Sequence, residues 1–313
     1  MVRAGLAPAV SGAVVASVSV FDERSLRRHP GPAEDFVERM TGSTLVGAVR
    51  RGKFLWLPLA EADPIQVSEP TPVPEPVEGR RALVAHLGMS GQVLLRDRTT
   101  DDLRTRIRLD LDHPQHGPLR LNFVDQRLFG SMAIDDLVPT PDGRPGGFAG
   151  PGVTAAALIP TAVAHIARDP LDPAFADRGF LDALARRRTG VKRALLDQTL
   201  ISGIGNIYAD EALWAARVHY DQPTETLTRS RARLLLGEVR AVLTKALGEG
   251  GTSFDAQYVN VNGASGYFSH SLNAYGQQGE PCPRCGRPIV RESFMNRGSH
   301  FCPFCQRVRR QVR

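Results

Sequence analysis

The four cysteines constrain this chain more than any other feature, because all of them fall near its C-terminal end in two identically spaced pairs. Cys282-Pro-Arg-Cys285 is followed, after sixteen residues, by Cys302-Pro-Phe-Cys305. A C-x2-C turn aims two thiolates at one point, and two such knuckles close a tetrahedron around Zn²⁺. With cysteine at all four positions no coordination site is left for water, so the predicted ion is one structural zinc. The stretches Gly286 to Phe294 and Gly298 to Phe301 fit a β-hairpin. A ribbon that short is unstable alone, and metal binding would supply its folding energy. A redox-active dithiol pair is the competing reading. No upstream cysteine exists for long-range pairing, which favours metal and a reducing compartment over a disulfide framework.

At 313 residues, 42% of them hydrophobic, the chain can build two domains with separate cores. It carries 39 Lys and Arg against 33 Asp and Glu, a formal charge of +6 and a pI near 9.5. Such an excess admits a polyanionic partner but needs a motif to specify one. Arg291, Arg297 and the tail arginines Arg307, Arg309, Arg310 and Arg313 put that charge on the finger, where it would meet phosphates. The apolar stretch around Val14 is broken by Ser11, Gly12, Ser17 and Ser19 and lacks the strongly basic segment a signal peptide carries before it. That argues against a signal peptide, no run approaches a membrane span, and a cytoplasmic protein is expected.

Along the chain, Ala13 to Val20 and Leu45 to Leu59 read as strands, and Ala33 to Met40 as a short amphipathic helix. Residues 62–81 are rich in Pro and Glu and read as a solvated insert. Leu83 to Leu95 returns to sheet, and Arg106 to Leu111 with Leu119 to Val124 forms a hairpin. A Pro and Gly loop, 139–153, closes this half as a linker. Residues from about Thr154 to Gly250 are helical by period, with Gly203 and Gly205 separating two helices, and Gln257 to Tyr275 reads as a last β segment.

Six further segments have a shared character: Arg50-Arg-Gly-Lys-Phe-Leu-Trp-Leu, His86-Leu-Gly-Met-Ser-Gly, Asp125-Gln-Arg-Leu-Phe-Gly, Lys192-Arg-Ala-Leu-Leu-Asp-Gln, Gly203-Ile-Gly-Asn-Ile-Tyr-Ala-Asp-Glu-Ala-Leu, and Gly266-Tyr-Phe through to Cys282. In this order, before a correctly spaced finger, they resemble the formamidopyrimidine-DNA glycosylase family over nearly the whole chain. Endonuclease VIII, which acts on oxidised pyrimidines, is the nearest competing relative. The resemblance implies an α+β fold: an N-terminal β-sandwich domain (1–138), a helix-two-turn-helix domain (154–255), a lesion-recognition loop (256–276) and a zinc-finger β-hairpin (277–313), with DNA lying between them.

It also implies base-excision repair of oxidised purines such as 8-oxoguanine and formamidopyrimidines, followed by lyase cleavage through β- and δ-elimination, by a monomer acting on double-stranded DNA with oxidised or abasic sites. Such chemistry needs an amine nucleophile at the sugar C1′. The family supplies it from an N-terminal proline followed by a glutamate. Here Met1-Val-Arg-Ala-Gly-Leu resembles the family's first helix, a short way downstream. A start site placed too far downstream is the preferred explanation over a real loss of the nucleophile.

Residue by residue, Lys53 matches the lysine that assists β-elimination and Arg297 the finger arginine of the second elimination. Met89, Arg127 and Phe129 match the side chains that fill the gap left by an extruded base. Asn206 and Arg188 match phosphate contacts. Arg104 stands where the family more usually has a backbone-touching histidine, a departure that a guanidinium could accommodate. The loop within 256–276 favours purine over pyrimidine lesions. Two other classes compete: a non-catalytic damaged-DNA binder, and a sequence-specific regulator reading DNA with its finger.

Overall fold

The computed structural model describes residues 2–60, 80–88, 91–249 and 271–308. The proline-rich insert up to Gly79, Met89, residues 256–270 of the segment expected to be a lesion-recognition loop, and Arg309, Arg310 and Arg313 lie outside the described residues. The chain divides into two compact units with the break between His165 and Ile166.

The first unit opens with helix α1 (Val2–Val10), whose Leu6 and Val10 are fully buried. Strands β1 (Ala13–Val20), β2 (Thr44–Leu45), β3 (Val49–Arg51), β4 (Phe54–Ala60), β5 (Arg81–His86), β6 (Gly91–Arg96), β7 (Thr105–His113), β8 (Gly117–Asp125) and β9 (Ser131–Pro139) follow, with α2 (Ala33–Met40) after β1. Alternation writes these strands: in β7, Ile107, Leu109 and Leu111 are fully buried while Arg108, Asp110 and Asp112 between them are not. The strands of this sheet pair antiparallel, in the order β10-β9-β5-β4-β2-β1-β7-β8-β6, with β3 attached to β4 and β10 being Leu158–Pro160. Leu55, Leu83 and Ile134 from one half of this path share a core with Val93, Leu109 and Phe123 from the other. The halves therefore pack face to face as a sandwich, and Leu6, Phe36 and Met40 add the helices to that core.

Strand β10 departs from the expectation that everything beyond Thr154 is helical. It pairs with Leu137–Pro139 of β9 and leads into a 3₁₀ turn at Thr161–Val163. Pro160 has no N–H to donate and disfavours helix at the residue before it, so Leu158 and Ile159 extend the sheet.

The second unit holds α3 (Asp177–Arg186), α4 (Val191–Leu196), α5 (Asn206–Ala215) and α6 (Arg229–Gly248) around Phe180, Leu184, Leu195, Leu213, Leu235 and Val239. Gly203 turns the chain between α4 and α5 at φ +85°, a conformation that suits glycine. The finger hairpin pairs β11 (Val290–Phe294) with β12 (Arg297–Phe301). Its two-residue turn, Met295-Asn296, has both residues at positive φ, which matches the twist of the flanking strands.

Residues 271–275 are not strand, against the expected β segment ending at Tyr275. The Glu211 carboxylate on α5, itself buried, instead accepts the backbone N–H groups of Asn273, Ala274 and Tyr275 and the side-chain amide of Asn273. Donors consumed by a carboxylate cannot also form a ladder. Among the described residues no helix is long and apolar enough to cross a membrane.

Candidate nucleic-acid interface and metal centre

The sulfur atoms of Cys282, Cys285, Cys302 and Cys305 all lie within 4.8 Å of one another, and those of Cys285 and Cys302 are 3.6 Å apart. Four sulfurs at the usual Zn–S length of ~2.3 Å stand about 3.8 Å apart in a tetrahedron, whereas a disulfide needs ~2.0 Å. The cluster fits a structural zinc ion. Its base is tied to the segment after α5: Cys302 N–H donates to Gln306 Oε1 and Gln306 Nε2 donates to the Val218 carbonyl, each at 2.9 Å, with Gln306 fully buried. The Arg284 guanidinium lies over the Trp214 ring and donates to the carbonyls of Trp214 and Ala215, at the C-terminal end of α5 where a cation is favoured.

Behind the hairpin lies a buried charge pair. Lys192 Nζ is 2.6 Å from Asp210 Oδ1, and neither side chain reaches solvent. Three consecutive residues of β12 attach to this group. The Gly298 carbonyl accepts from Lys192 Nζ and from Asn206 Nδ2, Ser299 Oγ donates to Asp210, and the His300 N–H donates to Asp210 at 2.9 Å. Arg297 immediately precedes them as the exposed first residue of the strand. Burial holds the Lys192 ammonium below the usual lysine range, Asp210 opposes that shift, and the Arg297 charge adds to it.

In the first unit, Lys53 is exposed in the Gly52-Lys53 turn between β3 and β4. Its neighbour Phe54 packs against His86, ring centroids 4.9 Å apart. His86 is pushed down to about 4 by burial first, then by the charges of Arg28, Lys53 and Arg27. The neutral ring accepts the Gly88 N–H at Nδ1. Gly88 sits against the backbone of Phe129, where a Cβ would fall 2.6 Å from the Phe129 carbonyl. Arg127 and Phe129 are exposed on the loop after β8, Phe129 at 48%. Asp125, wholly buried, closes that loop by accepting the N–H groups of Arg127 and Gly130.

Lys53 and the pair Arg127 and Phe129 are thus linked through His86 and Gly88, while Arg297 and Asn206 meet at Gly298 in the second unit. Arg188, exposed after α3, shares a small cavity with Met295 of the hairpin turn. Arg104 is exposed, at φ +67°, and its carbonyl accepts the Asp125 N–H. Met89 lies outside the described residues. Sequence reasoning missed five residues that fix these groups: Arg27, His86, Asp125, Lys192 and Asp210. The last four stand inside the quoted motifs, which was the only available signal for them.

Three protein families match the chain. The formamidopyrimidine-DNA glycosylase N-terminal domain covers residues 1–132, the H2TH domain of the same enzyme 166–257, and the zinc finger found in FPG and IleRS 279–308. A formamidopyrimidine-DNA glycosylase of Leifsonia xyli subsp. xyli is 62% identical over 309 residues, spanning 98% of this chain and 97% of that one. One from Thermobifida fusca is 49% identical over 318 residues, covering 100% and 97%. Among solved structures, the MutM (Fpg) protein of Thermus thermophilus superposes with a TM-score of 0.73 at 32% identity, covering 99% and 97%. A Lactococcus lactis Fpg mutant in complex with DNA containing Fapy-dG gives 0.74 at 27%, covering 98% and 97%.

Proposed function

The chain belongs to the formamidopyrimidine-DNA glycosylase family, and from that premise we propose that it removes oxidised purines from double-stranded DNA and cleaves the resulting abasic site as a lyase. The relatives' name and the complexes of Lactococcus lactis Fpg with DNA bearing Fapy-dG or an abasic site support this substrate class. It acts as a monomer in the bacterial cytoplasm, on nucleoid DNA, with one zinc ion serving only the fold.

The observation that carries the reading is the loop Asp125 to Gly130. Phe129, a large apolar side chain, stands 48% exposed beside Arg127 on a backbone closed by Asp125. Expelling a nucleotide leaves a hole that must be refilled by protein side chains. In this reading Phe129 and Met89 fill it, and Arg127 pairs with the orphaned base. Lys53 assists β-elimination as a proton carrier and phosphate contact. Arg297 grips the phosphate 3′ to the lesion for the second elimination, while Asn206, Arg188 and Arg104 hold further phosphates.

The test incubates the purified chain with a duplex carrying 8-oxoguanine in the presence of borohydride, beside a binding titration against the intact duplex. A trapped covalent adduct is expected of the chain that carries the family's N-terminal proline, and tighter binding to the damaged duplex is expected of the chain with or without it. Equal affinity for both duplexes would overturn the proposal. Selective binding without trapping would favour a damaged-DNA binder instead.

A further inference from the structure

We infer that Arg27 is a positioning residue that presets the loop Asp125 to Gly130 as a rigid wedge, so that the loop enters damaged DNA without having to be ordered there. The inference deepens the proposed function and rests on reading Arg127 and Phe129 as gap-filling side chains.

The guanidinium of Arg27 reaches across from the segment after the 3₁₀ turn Glu23–Leu26 and donates to three consecutive carbonyls. Nη1 meets the carbonyls of Leu128 at 2.6 Å and Gly130 at 2.9 Å, and Nη2 meets that of Phe129 at 2.6 Å. On the other side of the same turn, the Asp125 carboxylate takes the N–H groups of Arg127 at 3.1 Å and Gly130 at 2.6 Å. The backbone is thus held by a cation on its acceptors and an anion on its donors.

That double hold has a conformational reason. Leu128 lies at φ +56°, in the left-handed region that a leucine avoids. Such a residue persists only where its surroundings over-determine it. Gly130 and Gly88 supply the remaining restraint by close contact: a Cβ on Gly130 would fall 2.9 Å from the His86 carbonyl and one on Gly88 2.6 Å from that of Phe129. Little of this serves the hydrophobic core, since Phe129 points into solvent and Arg27 is itself exposed. An exposed aromatic on a strained, clamped backbone is what preorganised binding requires. The planar fork matters as much as the charge. One guanidinium spans three carbonyls in fixed directions, and an ammonium is a point charge on a flexible stem.

The test compares the wild-type chain with Arg27→Ala, Arg27→Lys and Phe129→Ala on two duplexes, one intact and one carrying a tetrahydrofuran abasic analogue opposite 2-aminopurine. Affinity is read by titration, and wedge insertion by the change in 2-aminopurine fluorescence in stopped flow. Both Arg27 variants should weaken binding to the tetrahydrofuran duplex on the order of tenfold, the scale of newly ordering a loop residue or two. They should slow the fluorescence phase by a similar factor and leave affinity for the intact duplex within about twofold. Wild-type behaviour in Arg27→Lys would overturn the clamp, because charge alone would then suffice. Equal weakening on both duplexes in Arg27→Ala would also overturn it and make Arg27 a phosphate contact. If Phe129→Ala keeps full selectivity, the gap-filling reading falls and the clamp with it. If Phe129→Ala loses selectivity while the Arg27 variants keep it, the clamp alone is refuted.

Discussion

Lys192 and Asp210 form an ion pair, 2.6 Å from Nζ to Oδ1, with no exposure on either side chain. Removing one partner of a buried pair strands the other charge, at a cost of roughly 3–5 kcal/mol. Lys192→Met should destabilise the protein by that order in urea unfolding, and the double variant Lys192→Met with Asp210→Asn should recover part of the loss. A double variant no more stable than the single one would show that the pair does not act as a unit.

Because Gly298, Ser299 and His300 hang on the same group, the pair also fixes where strand β12 delivers Arg297. Under the proposed function, Arg297→Ala should stop cleavage of an abasic-site duplex at the β-elimination product, with the δ-product reduced by on the order of tenfold or more. Denaturing gel analysis of the 3′ ends separates the two products. An unchanged product ratio would remove Arg297 from the second elimination.

The metal site gives a folding prediction. Cys302→Ser, or exhaustive chelation, should release zinc and collapse hydrogen-exchange protection across 282–305, since a two-stranded ribbon does not hold without its ion. Binding to any duplex should weaken with it. Full protection in a zinc-free sample, checked by elemental analysis, would contradict a structural role.

His86 gives a pH prediction. Its ring is held down to about 4 in the folded chain, below the ordinary 6.5, by burial and then by Arg28, Lys53 and Arg27. A depressed histidine favours the folded state fully above pH 6.5, and that contribution is lost as pH falls from 6.5 to about 4. NMR titration should place the His86 midpoint near the lower end of that window, and Arg28→Ala should raise it. A midpoint at 6.5 in the wild-type chain would refute the environment described.

The parts of this molecule written in short-range pattern were legible beforehand. The alternation of Ile107, Leu109 and Leu111, the helix of Phe36 and Met40, and the two cysteine knuckles all follow from spacing within a few residues. Lys192 did not, because a lysine in Val-Lys-Arg-Ala-Leu reads as a solvated helix face until Asp210 is seen beside it. Arg27 lies about a hundred residues from the carbonyls it clamps, and no local pattern encodes such a contact. Strand β10 was missed because three residues are too few to show a period. The turn at 273–275 was missed because its partner is a carboxylate on another element.

Glu211 offers the corresponding test. Glu211→Gln should speed amide exchange at Asn273, Ala274 and Tyr275 and destabilise the second unit by about 1–3 kcal/mol, the cost of leaving buried donors poorly paired. Exchange rates equal to the wild-type chain would show those donors to be held by something else.

The same anchoring bears on how this protein can change over generations. Ser271 is joined to both Lys245 and Glu249 at the end of α6, and Glu211 seizes the three residues from Asn273 onward. The end of α6 and residues 271–275 are therefore fastened to one helical scaffold, and a change in either would strain those hydrogen bonds before it reached the ribbon. A lineage that altered these anchors would still inherit the metal-bound hairpin, whose own hold lies in its four cysteines.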